Sequence, residues 1–321
     1  MSISIEPTAT AEPAAIAPQG HARAIRPFIW SVRREIWENA SVYIAPVAAA
    51  ILTLAAFAFV VGKARLDVPG MDLSRLEMSD TPTLMLMAVS GFILLGTTSV
   101  VGLFYALGAL QHERRERSIL FWKSLPVSDA VTVLAKAAVP IVVLPCISIA
   151  VMVVTHVLLL AGGAVFLAAH GVDATLALGQ PGLVRVEVLL IYLTFALALW
   201  HAPVYGWALL VSGWARNVSL LWAVLPPAGL AIFQMLAFGD DSVGRIMRHR
   251  LFQGPVAAFR MSRPEIEGLR GFNMAEPHTD MPLPHIDPMG FLASPGLWLG
   301  LAFAGACLAA AVWLRRYRDP V

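Results

Sequence analysis

Long apolar stretches with no charge in their central part decide what this chain can fold into. Six of them occur, at about 42–62, 84–110, 132–160, 186–212, 218–238 and 296–314. A helix rises ~1.5 Å per residue, so roughly 20 such residues cross the ~30 Å hydrocarbon core of a bilayer. Inside hydrocarbon every backbone N–H and C=O has to be bonded within the protein, which leaves the helix as the form open to segments of this length. The fold expected is all-α and polytopic, with six transmembrane helices. Composition agrees, because 58% of the residues are hydrophobic and 14% charged, where a soluble domain has about 45–50% and 25%. The two cysteines, Cys146 and Cys307, both lie inside apolar runs, which counts against a disulfide framework or a zinc site.

Basic residues orient the spans. Arg23, Arg26, Arg33, Arg34, Arg114, Arg115, Arg117, Lys123, Lys136, Arg216, Arg315, Arg316 and Arg318 fall on one set of flanks, whereas the short loops of the other set hold Lys63, Arg65, Arg75 and Arg185. Basic residues concentrate on the cytoplasmic side of membrane proteins. A multi-pass protein of the plasma or inner membrane with both termini cytoplasmic is therefore expected. Residues 1–24 are rich in Ala, Pro, Thr and Glu and lack the apolar core of a signal peptide, so a disordered cytoplasmic tail is expected there. Across 25–40, Ile25, Phe28, Ile29, Val32, Ile36 and Trp37 recur at helical spacing, with Arg26, Arg33, Arg34, Glu35 and Glu38 on the other side. That pattern predicts an amphipathic amino-terminal helix lying in the membrane interface. Residues 41–321 then make the six-span domain. Its one large non-membrane segment is the outer loop 239–293 between spans five and six. Prolines there disfavour long helices, and short ones are expected near Val243–Arg250 and Pro255–Met261.

Between spans two and three runs Glu113–Asp129, ERRERSILFWKSLPVSD. Glu113 and Arg117 are spaced i, i+4 with the acid first, a favourable helical pair. Ile119, Leu120 and Trp122 suit an apolar groove while Arg114, Arg115 and Lys123 stay wet. Pro126 halts the helix, and Ser128 or Asp129 is placed to cap the next. The stretch reads as a short helix across the cytoplasmic surface, 113–126, on which a partner docks.

Here the chain resembles the permease subunits of ABC-2-type ABC transporters. Their loop between spans two and three carries a pattern like E-x-x-x-(G/R)-(S/T)-x-x-x-x-x-S-x-P, matched by Glu113, Arg117, Ser118, Ser124 and Pro126. Leu120 stands where that family often has an acidic residue. The resemblance implies a coupling helix, including Arg114, Trp122 and Lys123, that inserts into a separate ATPase subunit. It also implies a smaller contact at Arg216 and Asn217, pairing with a second permease copy or paralogue, and transport in the export direction. The sequence has no phosphate-binding Gly-x-x-x-x-Gly-Lys-(Ser/Thr) loop. No cofactor is therefore expected in this chain, and ATP and Mg are expected on the partner. Nucleic acid is not an expected partner.

Within the spans, Thr98, Gly102 and Ala106 have the spacing of a close helix contact. Thr98, Gly102, His156, His201 and Gln234 are also candidates for a pathway or gate, since polar groups at depth face protein or water. Pro203 and Pro226-Pro227 predict kinks. His278, Asp280, His285 and Asp287 have metal-ligand chemistry, but intervening prolines break any helical arrangement, and a solvated loop is expected. Two other readings stay open. A membrane-embedded enzyme would need a nucleophile–base pair, and no Ser, Cys or carboxylate stands at a telling spacing from His156 or His201. An ion-coupled transporter would need titratable groups within the spans, where carboxylates are lacking.

Overall fold

The computed structural model describes residues 22–67, 81–115, 127–171, 173, 175–179, 182–215, 217–252, 254–260 and 283–317. In chain order they form α1 (Ala22–Glu38), α2 (Ser41–Asp67), α3 (Thr81–Arg115), α4 (Asp129–Ala169), α5 (Gly182–Trp214), α6 (Ser219–Phe238) and α7 (Ser242–Phe252). A two-residue antiparallel ladder follows, β1 (Phe259–Arg260) with β2 (His285–Ile286), then α8 (Pro288–Ala293) and α9 (Pro295–Tyr317). Six of the helices, α2 to α6 and α9, are long and apolar enough to cross a membrane. The architecture is that of a multi-pass helical membrane protein.

The long helices are apolar on all sides, and such a helix is buried in protein or in lipid. α5 is the central one, packed most extensively on α9 and α3. α3 and α5 run parallel and in register: Gly91 lies against Leu190, and the Leu110 N–H reaches Ser212 Oγ at 3.3 Å. Leu94, Met152, Val186 and Leu190 fill one end of the core, and Tyr105, Val139, Leu144 and Leu209 the other. α6 is peripheral. Its only buried residue is Ser219, and Leu225, Phe233 and Leu236 point outward.

Small residues set the closest approaches. A Cβ on Gly206 would stand 3.1 Å from Ala304 Cα and 3.2 Å from its carbonyl oxygen. Backbone atoms of a packed helix cannot step aside as a side-chain tip does. Gly206→Val should therefore cost roughly 1–3 kcal/mol by overpacking and lower the thermal midpoint of the purified protein. Gly229→Val, on α6 with nothing within 4 Å, should leave the midpoint within error.

α4 has one irregular turn. Val139–Val143 is π-helical, and the Leu144 N–H donates to Val139 O. Pro145 has no N–H for the carbonyl of Ile141, so the turn ahead of it widens instead of closing in the α pattern. The helices containing Pro203 and Pro226-Pro227 are unbroken across those residues.

Beyond α6 the chain reverses at Gly239, whose φ of 66° is the left-handed cap that glycine supplies. α7 meets the expected helix near 243–250. The second expected helix is not there: only Val256–Ala258 forms a 3-10 turn, and Phe259–Arg260 then pairs with His285–Ile286. Gly254 at φ 64° turns the chain so that Ala258 O accepts the Asp287 N–H. The backbone bonds of a helix are replaced by cross-strand ones. Asp287 caps α8 through the Gly290 N–H at 2.9 Å and pairs with Arg260. That N–H, and then Arg260, hold its carboxyl below the usual carboxylate range.

Candidate functional site

The segment expected to dock a partner leaves α3 at Glu113 and returns at Ser128. Residues 116–126, with Arg117, Ser118, Trp122, Lys123, Ser124 and Pro126, lie outside the described residues, as does Arg216. Both ends of the segment are described, and they are anchored in a buried knot of charge.

Glu113 Oε1 accepts from Arg34 at 3.0 Å and from Lys136 at 3.1 Å, and Oε2 accepts from Arg315. Glu35 Oε1 accepts from Lys136 at 2.8 Å and from Arg34 at 3.1 Å, while its Oε2 accepts from the Tyr105 hydroxyl at 2.8 Å. Arg315 Nε donates to Asp129 Oδ1 at 2.9 Å. Three carboxylates thus face three cations drawn from α1, α3, α4 and α9. Glu35, Glu113, Lys136 and Arg315 are 2%, 6%, 2% and 8% exposed, so each depends on its partners. Desolvating an ion costs several kcal/mol, and only near-complete pairing and hydrogen bonding recover it.

The carboxylate of Glu113 therefore faces inward, away from any docking surface. Arg114 is also tied to the bundle, donating to Ser212 O at 2.6 Å and Ala215 O at 2.7 Å at the carboxyl end of α5, where a cation suits the helix dipole. On the return, Ser128 Oγ accepts the Val131 N–H at 3.3 Å and caps α4, which leaves Asp129 for Arg315. Asn217, the described half of the expected second contact, is exposed. Beside it Val218 takes φ 45°, a left-handed conformation costly for a β-branched residue.

α1 carries a related surprise. Periodicity set Glu35 on the wet side, yet Glu35 is among the most buried residues, whereas Ile29, Trp30 and Trp37 are exposed. Arg33 lies over the Trp37 ring at 4.5 Å. The helix presents its aromatic face outward, as a lipid-facing helix does, and delivers Glu35 into the bundle.

The in-span candidates occupy packed positions. Thr98 Oγ1 is hydrogen-bonded to Ser148 Oγ at 2.6 Å, joining α3 to α4. Gly102 admits Pro140 and Tyr205 so closely that a Cβ would meet each at 3.3 Å. Gln234 caps the start of α7: its Oε1 accepts from the Val243 N–H at 3.1 Å, and its Nε2 donates to Asp240 and Ser242. His201 meets the backbone of Arg250 and Leu251 at the other end of α7. Arg250 itself lies 4.1 Å from the Trp200 ring and donates to Gly296 O at 2.6 Å and Trp200 O at 3.3 Å.

His156 has partners that spacing did not reveal. Its Nε2 lies 2.9 Å from Ser90 Oγ and its Nδ1 2.5 Å from Glu187 Oε2. Those residues are 66 and 31 positions away. The available signal was Glu187 itself, a carboxylate one residue inside an apolar run. Glu113 and Lys136 gave a similar signal at run ends, where charges pass for flanks. Comparison of the chain with protein-family models, curated proteins and solved structures found no match.

Proposed function

We propose that this chain is the membrane-spanning permease subunit of an ABC transporter, an exporter, driven by a separate ATPase subunit that docks on the loop between α3 and α4. The observation that carries the reading is the knot around Glu113. A loop that leaves from Glu113 and Arg114 and returns through Asp129 is joined at both ends, by charge-assisted bonds, to α1, α5 and α9. Force applied to such a loop moves several helices together, whereas a slack connector would absorb it. In this reading the knot faces the cytoplasm, both termini lie there, and a second permease copy or paralogue completes the transporter. Nucleotide acts only through the different affinity of the ATPase for two arrangements of the loop.

The docking surface proper falls to Arg117, Trp122 and Lys123, since Glu113 is engaged inside. Arg117→Glu combined with Trp122→Ala should leave the protein monodisperse on size-exclusion chromatography. It should also reduce co-purification of an ATP-hydrolysing chain by at least tenfold, about 1.4 kcal/mol. Undiminished co-purification from the same membranes sinks the reading.

A further inference from the structure

The carboxyl end of α7 brings a charge to a place that has none to answer it. Arg250 donates to Trp200 O at 3.3 Å and to Gly296 O at 2.6 Å, and lies 4.1 Å from the Trp200 ring. Carbonyls and an aromatic face orient a guanidinium without neutralising it. No carboxylate pairs with Arg250 among the described residues, because Asp240 is taken by Arg245 and Asp241 by Arg248. From Gly239 to Phe252 the chain has two acids against three arginines, which leaves one positive charge. The helices beneath offer no counter-charge, since 188–214 of α5 and 295–314 of α9 hold no Asp, Glu, Lys or Arg.

Donors remain as well as charge. A guanidinium has five N–H groups, and the two carbonyls take two of them. Nε has no partner among the described residues, yet it is not enclosed by protein. α9 makes room for the group, since a Cβ on Gly300 would collide with the guanidinium. Gly296, Gly300 and Phe303 follow at i, i+4 and i+7, along one stripe of that helix. Phe303 is 50% exposed and Leu299 beside it 72%. The cation thus heads an open apolar strip that runs toward the knot. Gly300 and Gly296 precede Arg315 by 15 and 19 positions on α9, roughly 20–30 Å at ~1.5 Å per residue. The hydrocarbon core is ~30 Å thick, so Arg250 stands where the headgroups opposite the knot meet the acyl chains.

We infer that Arg250, with Leu299 and Phe303, forms a binding site for an anionic phospholipid of the leaflet opposite the knot. The phosphate takes the free N–H groups of the guanidinium, and an acyl chain lies along the strip on α9. Phosphate oxygens suit the fork of an arginine, and bonds between charged groups are about twice as strong as those to neutral acceptors. The bound lipid touches α7 through its phosphate and α9 through its chain. α7 is therefore held most firmly in a membrane that supplies this lipid. The site does not rest on the docking of an ATPase.

Cation and strip together select the ligand. A small inorganic anion would meet the charge and leave the strip unused. A zwitterionic lipid would fill the strip but bring its own cation to a place that already has one in excess. An anionic phospholipid answers both features.

The test places the full chain in nanodiscs of phosphatidylcholine, with and without phosphatidylglycerol, and follows hydrogen exchange across 242–252. Exchange in the wild type should be about tenfold slower where phosphatidylglycerol is present, as for a segment stabilised by a bound ligand. Arg250→Gln should abolish that difference between the lipids, whatever it does to the absolute rate. Leu299→Ser with Phe303→Ser removes none of the hydrogen bonds of Arg250 and should also shrink the difference. Arg248→Gln, which removes an exposed and already paired charge, should keep it to within about twofold. Equal exchange in the two lipids for the wild type overturns the proposal, as does an undiminished difference in the strip variant. A loss in Arg248→Gln as large as in Arg250→Gln would overturn it in favour of diffuse attraction. Inorganic phosphate that slows exchange in phosphatidylcholine alone as much as phosphatidylglycerol does would overturn it in favour of a free anion.

Discussion

Glu113→Ala is expected to destabilise the purified protein by about 3–5 kcal/mol, the cost of stranding buried charge. The side chain answers three cations at once, Arg34, Lys136 and Arg315. Without it, Glu35 and Asp129 remain against three positive charges, and the two cations buried deepest, Lys136 and Arg315, repel each other in a medium that screens poorly. The expected result is a thermal midpoint many degrees lower, with a shift to aggregates on size-exclusion chromatography. A second variant separates charge from packing. Glu113→Ala with Lys136→Met removes an acid and a base together, so the double variant should lose less than the sum of the two single losses, by 0.5–3 kcal/mol or so. Strict additivity, or a Glu113→Ala loss no larger than that of exposed Asp240→Ala, would refute a paired knot.

Arg250→Ala carries the second large effect. Besides Gln234 at its start and His201 and His249 near its end, α7 is held to the bundle by this guanidinium, which lies over Trp200 and donates to Trp200 O and Gly296 O. Hydrogen bonds to a charged group contribute about 1.5–3 kcal/mol, and the stacking adds about 0.5–2 kcal/mol. Hydrogen exchange across 242–252 should rise on the order of 100-fold in Arg250→Ala. Arg250→Lys should not restore protection, because an ammonium has neither the planar face nor the fork. Arg248→Ala is the control: Arg248 pairs with Asp241 in the open and should change exchange less than threefold. Equal effects from the two arginines would show that α7 is held by something else.

The spans were legible because their signal is local. Twenty apolar residues in a row need no knowledge of the neighbours, and α2 to α6 and α9 lie where the runs are. What pairs across the bundle was not legible. Glu35 was assigned to a wet face because periodicity divides a helix into two sides without saying which side the bundle takes. Gln234 looked like a polar group in search of a pathway, since nothing in its own span shows that α7 folds back to be capped by it. Glu187 stands one residue inside the apolar run 186–212, and nothing in its own span shows that His156 of another helix lies beside it. The ladder at Phe259–Arg260 is two residues long, too short for any alternation to show. In each case the missing information was the identity of a residue far away in the chain.

The π-turn at Val139–Val143 has a consequence for register. α4 carries Lys136 into the charged knot and His156 to Ser90 and Glu187, 20 positions later along one helix. A uniform α-helix turns ~100° per residue, so those two side chains would face nearly opposite directions. The wide turn between them takes up an extra residue and re-aims everything beyond it. Deleting one residue from 139–143 would let the turn close as regular helix while both ends keep their directions, whereas deleting one elsewhere between Lys136 and His156 would turn one end away from its partners.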